Sequence, residues 1–260
     1  MRAGDFLTDI MRSLSFLSRI PVHDIFFEND DGAMGKTARA FPVAGALIAL
    51  PAAVLVALLA SLDADPLLAA AITLSIATVI TGALHEDGLA DTADGFGGGK
   101  TKESKLDIMK DSSIGTYGGI ALILSFLVRV AAIAALIRDL SPLAVATCLI
   151  AAASLSRALM VWHWQALPSA RTSGVAASVG QPGDDERNIA LGSGALLALA
   201  FTLPVFSTAP LLVALAAPFV TAYLFGRLCT RKIDGHTGDT IGATQQITEI
   251  VILAALALIA

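Results

Sequence analysis

The chain has 260 residues, of which 55% are apolar and 15% charged, with a net charge of −5 and a mean hydropathy of +0.75. Soluble domains carry about 25% charge, so these values exclude a water-soluble globular domain, a disordered chain and a disulfide-stapled secreted module. With no basic excess to neutralise phosphates, no nucleic-acid partner is expected; the chain reads as an all-α, polytopic membrane bundle in a lipid bilayer.

Residues 1–39 precede the first apolar stretch and form a cytoplasmic amphipathic segment. Phe6, Leu7, Ile10, Met11, Leu14 and Leu17 recur at helical spacing up to Pro21. That pattern predicts a helix either lying in the membrane interface or packed on the bundle. No continuous apolar run occurs before residue 37, so no signal peptide is expected.

A membrane-crossing helix needs about 20 apolar residues. Seven stretches meet or approach that length: 41–62, 66–84, 118–137, 142–162, 189–207, 210–229 and 242–260. None alternates as a barrel strand would, so helices satisfy the backbone in lipid. Lys and Arg outside these spans fall almost wholly on one side, with Arg138 alone on the other. The positive-inside rule then puts the N-terminus and the long loops in the cytoplasm and the C-terminus outside. The whole chain, 1–260, is expected to form one membrane domain. Cys148 and Cys229 lie within spans without metal-ligand spacing and read as small buried hydrophobes.

After the second span comes His85-Glu86-Asp87-Gly88-Leu89-Ala90-Asp91-Thr92-Ala93-Asp94-Gly95. Four carboxylates at a membrane boundary mark function by default. On a helix Asp87, Asp91 and Asp94 share one face within reach of a common ion. Hard oxygen donors without cysteine favour Mg²⁺ or Mn²⁺, and Mg²⁺ keeps room in its shell for phosphate oxygens. Residues 95–102, Gly-rich and ending in Lys100 and Lys102, lack the spacing and preceding strand of a P-loop. They read as a phosphate cradle or as a flexible basic loop.

Two more polar, glycine-punctuated segments lie on the same side. Met109 to Gly118 contains Lys110, Asp111 and Gly115; Arg231 to Gly242 contains Asp234, His236, Thr237, Gly238 and Asp239. With residues 85–117 they form the expected active-site region, where Asp239 or Asp234 could complete a second metal site of the two-ion type. Within the spans, Arg157 is expected either to pair with Glu249 or to hold an anionic substrate group, and the deeper Arg129 to be structural.

The 85–95 segment resembles the signature of the adenosylcobinamide-GDP ribazoletransferase (cobalamin synthase) family. The likeness extends through Ser18 to Pro21, Phe41 to Gly45, Met109 to Gly118, Ser156-Arg157, and Gly235 to Asp239 with Gly242-Ala243. It implies an Mg²⁺-dependent enzyme of the bacterial inner membrane that joins adenosylcobinamide-GDP to α-ribazole or its 5′-phosphate and releases GMP. Asp87 and Asp91 would hold the metal, with Asp94 holding a second ion or taking the hydroxyl proton. His85 and His236 are rival bases, and Lys100, Lys110, Asp111, Gly115, Arg157, Thr237 and Gly238 are candidate substrate contacts. Glu86 and Asp234 stand where the family usually has Leu and Gly, which ranks them below the three aspartates and Asp239. A homo-oligomer, or association with other corrinoid-pathway enzymes, stays open. Competing readings are a CDP-alcohol phosphotransferase, whose pattern the tighter aspartate spacing does not match, and a cation transporter, which would need acids within discontinuous spans.

Overall fold

The computed structural model describes residues 3–28, 32–171 and 180–260. These residues are mostly helical, and among them no strand occurs; the one isolated bridge joins Ser169 to His236. The α-helices are α1 (Ala3–Leu17), α2 (Met34–Thr37), α3 (Phe41–Ser61), α4 (Pro66–Thr81), α5 (Leu84–Gly98) and α6 (Lys102–Ile108). They are followed by α7 (Thr116–Asp139), α8 (Pro142–Ala166), α9 (Asp184–Thr202), α10 (Thr208–Ile233) and α11 (Gly238–Ile259).

Among the described residues five helices are long and apolar enough to cross a membrane: α3 with its short lead-in from Met34, α7, α8, α10 and α11. The pair α4–α5, bent by 90°, makes a sixth if taken as one span. Seven spans were expected; two of those stretches form helices shorter than the other five, for separate reasons. The second expected span ends early, because Gly82 and Ala83 both adopt left-handed backbone (φ 63° and 57°). That closes α4 at Thr81 and sends the acidic segment off as a separate helix. Glycine suits position 82, where φ is positive and a Cβ would press on the Arg19 side chain. The fifth expected span, α9, opens with Asp184, Asp185, Glu186 and Arg187, leaving about 15 less charged residues, roughly 22 Å of helix.

Helix α8 is the central post: 89% of its apolar window is buried, against 33% for α7 and for α10. Lipid tails are as apolar as leucine, so close approach of small residues does the packing. A Cβ on Gly45 of α3 would lie 2.7 Å from the Ala153 carbonyl oxygen of α8, and one on Gly194 of α9 2.5 Å from the Ala158 Cβ. Ser154 adds a hydrogen bond across to the Pro42 carbonyl (3.0 Å). The N-terminal helix packs on the bundle: Leu14 and Leu17 of α1 are buried with Phe41, Met160 and Trp164. Its Leu7 and Phe16 remain exposed.

The deepest charges form one group. Arg129 of α7, 1% exposed, reaches Glu86 of α5 (3.1 Å) and Glu249 of α11 (3.5 Å). Gln246 donates to the same Glu86 oxygen (3.2 Å), and Gln245 donates to Glu249 and Ser156. Arg157 was expected either to pair with Glu249 or to hold an anionic substrate group; Glu249 pairs with Arg129, because α7 rather than α8 presents its arginine to both acids. Arg157 instead donates to the Ala153 carbonyl of its own helix (3.0 Å). It lines the same small polar chamber, about 60 Å³, as Thr73, His85, Glu86, Arg129 and Glu249. Removing one side of a buried pair leaves the other uncompensated, at about 3–5 kcal/mol. Arg129→Met is expected to destabilise the bundle by that order in detergent unfolding, and adding Glu86→Gln should restore part of the loss.

Candidate active site

Helix α5 has no apolar stripe of its own; three neighbours sort its polar residues. His85 and Glu86 are buried and line the polar chamber. Asp87 is exposed and Asp91 half-buried, one helical turn apart on the same face. Among the described residues neither carboxylate has a hydrogen-bond or ion-pair partner. Asp91 sits in the negative field of Asp87, Asp239 and Asp94, opposed by Arg171. Asp94 points elsewhere: it accepts from the Gly115 N–H (2.7 Å) and the Gly118 N–H (2.8 Å). It thus supplies to α7 the N-terminal cap that Gly115 has no side chain to make. Any Cβ at 115 or 118 would collide with the Asp94 carboxylate, which accounts for both glycines.

The start of α11 meets this face directly. A Cβ on Gly88 would lie 2.7 Å from the Asp239 carbonyl oxygen, and Gly242 passes close over the His85 and Gly88 Cα atoms. Thr237 and Thr240 form a reciprocal capping box, and the Thr237 hydroxyl donates to Asp239 (3.2 Å). Asp239 is 3.8 Å from Arg171, whose guanidinium also donates to the Leu106 carbonyl (2.9 Å). The Arg171 contact was not foreseen. Only its proximity after folding reveals it, since it lies 68 positions away in sequence.

His236 is buried beside this corner. Its backbone bonds to Pro168 and Ala170 on either side of the Ser169 bridge (2.8 Å each). Neither of its ring nitrogens has a partner among the described residues. Burial pushes its pKa down to about 4, so it is neutral at pH 7. Asp234 is exposed and pairs with Lys102 (3.1 Å).

The glycine-rich stretch is mostly helical rather than a loop, and its glycines serve contact. Gly95 packs on Met109, Gly97 on the Tyr117 ring, and Gly99 on Lys105. Lys100, Lys110 and Asp111 are exposed. The Ser113 N–H donates to Asp111 (2.9 Å) and holds its carboxyl below the usual range.

The structure therefore brings Asp87, Asp91, Asp239, Thr237 and Gly238 together and sets Asp94 at the edge. It places Glu86 and Arg157 inside the bundle. Among the described residues no three His, Cys, Asp or Glu side chains stand close enough to hold an ion as they are. The chemistry of the donor set still fits a hard divalent cation: two unpartnered carboxylates a turn apart, a third across from them, and no thiolate.

Comparison with known proteins bears on this geometry. The family model described as cobalamin-5-phosphate synthase matches residues 9–257. A relative from Sinorhizobium medicae, named adenosylcobinamide-GDP ribazoletransferase, is 54% identical over 255 residues, covering 98% of this chain and 97% of its own. Relatives of the same name from Rhizobium meliloti (54% over 251 residues, 96% of each) and Brucella ovis (42% over 257 residues, 98% of each) align along nearly their whole length. No solved structure matches the chain.

Asp94→Asn should lower the thermal midpoint in detergent, since a charged acceptor of two N–H groups is lost at about 1–3 kcal/mol. Asp87→Asn should leave the midpoint unchanged or raise it, because it relieves repulsion and breaks no contact. His236 is harder to protonate folded than unfolded, so its contribution to stability is complete above pH 6.5 and is lost as pH falls towards about 4. Thermal midpoints measured across that window should fall less steeply for His236→Gln than for the unsubstituted protein.

Proposed function

Because the chain belongs to the cobalamin-5-phosphate synthase family, we propose that it joins adenosylcobinamide-GDP to α-ribazole or its 5′-phosphate. The products are adenosylcobalamin or its phosphate, and GMP. The observation that carries this reading is the near full-length identity with relatives of that name. The unpartnered Asp87–Asp91 face opposite the start of α11 supports it.

The reaction is a displacement at phosphorus. A ribose hydroxyl oxygen of the nucleoside bonds to the phosphorus on the corrinoid side, the bond from that phosphorus to the GMP oxygen breaks, and the hydroxyl proton leaves. Such chemistry asks mainly for in-line positioning and neutralised charge. Asp87 and Asp91, with Asp239 opposite, would hold Mg²⁺, which when bound supplies charge neutralisation on the diphosphate. The N-terminus of α11 offers Gly238 backbone and a positive helix end to phosphate oxygens. Arg171 restrains Asp239, and Asp94 fixes the beginning of α7 rather than facing the substrate. His85 and His236 keep ring nitrogens without partners among the described residues and are the candidates for the hydroxyl proton. We place the acidic end of the bundle on the cytoplasmic side of a bacterial inner membrane, from the one-sided distribution of Lys and Arg.

GMP release from adenosylcobinamide-GDP plus α-ribazole should require Mg²⁺ and stop in excess chelator. Asp87→Asn and Asp91→Asn should each lower kcat by at least about a hundredfold without unfolding the protein. They should also weaken Mn²⁺ binding measured by electron paramagnetic resonance. Full turnover in chelator would remove the metal from the mechanism; CMP release from a CDP-alcohol would replace the substrate assignment.

A further inference from the structure

Beside the acidic face lies a second cavity of about 240 Å³. It is bounded by Phe16 and Leu17 of α1, Phe41 of α3, Leu84, His85, Asp87 and Gly88 of α5, Met160 and Trp164 of α8, and the first turns of α11. Three aromatic rings follow one another along its wall. The Phe16 and Phe41 centroids are 6.0 Å apart at 23°, and those of Phe41 and Trp164 6.2 Å apart at 33°. Asp87 and Asp239 also line the cavity. Trp164 is 3% exposed, and its indole N–H has no hydrogen-bond acceptor among the described residues. A buried donor left unmade is expensive, and indole N–H groups usually find a partner when buried.

We propose that this cavity receives the heteroaromatic base of the acceptor nucleoside. The occupant the walls select is a flat, largely apolar bicyclic ring with one unprotonated ring nitrogen, the nitrogen accepting from Trp164 and the ring lying against Phe16 and Phe41. Size agrees, since an apolar cavity of about 150 Å³ holds a single benzene ring. Guanine is disfavoured along the apolar wall, where Leu17, Leu84, Met160 and Ile241 offer its donors and acceptors no partner and only Asp87, Asp239 and His85 at the acidic rim could bond it. With the base so placed, its sugar emerges beside Asp87 and Asp239, where the reacting hydroxyl is needed. Substrate discrimination at the base then belongs to α1, α3 and α8, whereas the diphosphate belongs to α5 and α11. The identity of the nucleoside rests on the transferase reading above; the binding site does not depend on turnover.

The chain has two tryptophans, Trp162 and Trp164, so Trp162→Phe leaves Trp164 as the sole indole reporter. In that protein, purified in detergent, α-ribazole should change the emission saturably, guanosine should not, and Phe16→Ala should weaken the response about tenfold. In turnover, Trp164→Phe should raise the KM for α-ribazole about fivefold while the KM for adenosylcobinamide-GDP and kcat hold. Emission indifferent to α-ribazole, an equal response to guanosine, or a rise in the corrinoid KM instead would overturn the assignment. If no GMP is released under any condition but emission still saturates with α-ribazole, the transferase reading fails and the base site stands. Should either aromatic variant fail to fold, the Trp162→Phe titration decides alone.

Discussion

Everything at the acidic end of this bundle hangs on one buried arginine. A charge at membrane depth is tolerated only if it is paired, and Arg129 is held between Glu86 and Glu249. Those three residues belong to α7, α5 and α11. The same helices carry Gly118 with the cap residue Gly115 before it, Asp87 and Asp91, and Asp239. The ion-pair group therefore sets the relative placement of the elements from which the site is built. Gln246, bonded to the same Glu86 oxygen, and Gln245, bonded to Glu249, reinforce that placement from α11.

Helix α5 divides its acids by direction. Glu86 turns into the chamber, Asp87 and Asp91 face the start of α11, and Asp94 reaches forward to the amide groups that open α7. One run of sequence thus supplies a structural counter-ion, a candidate metal-binding face and a helix cap. The 90° turn at Gly82 and Ala83 makes this possible. A straight continuation of α4 would keep the acids in line with an apolar helix and deny them three different neighbours. His85 borders both the polar chamber and the aromatic cavity, so the interior network and the proposed base site share a wall.

Much of the site was legible before folding because carboxylates and glycines are so scarce in an apolar chain that their clustering stands out. Asp87 and Asp91 were singled out as candidates by that contrast, and Asp239 over Asp234 by the family resemblance; the structure sets the three on facing elements. Arg171 and the Phe16–Phe41–Trp164 wall were not. Arg171 read as one more loop cation, and isolated aromatics in an apolar sequence resemble packing residues. Trp164 gains meaning only when its N–H is found buried without a partner.

Composition, hydropathy and motif spacing by themselves determined that the chain is helical with long apolar stretches suited to a membrane, that its acidic and glycine-rich segments gather at one end, and which family it resembles. These are local properties, governed by the transfer of side chains to lipid and by helical repeat. Tertiary structure alone decided the partner of Glu249, the capping duty of Asp94, the break between α4 and α5, and the aromatic cavity. Apart from that break, which the left-handed backbone of Gly82 and Ala83 makes locally, each depends on residues far apart in sequence meeting at hydrogen-bond or van der Waals distance, which no periodicity along the chain encodes.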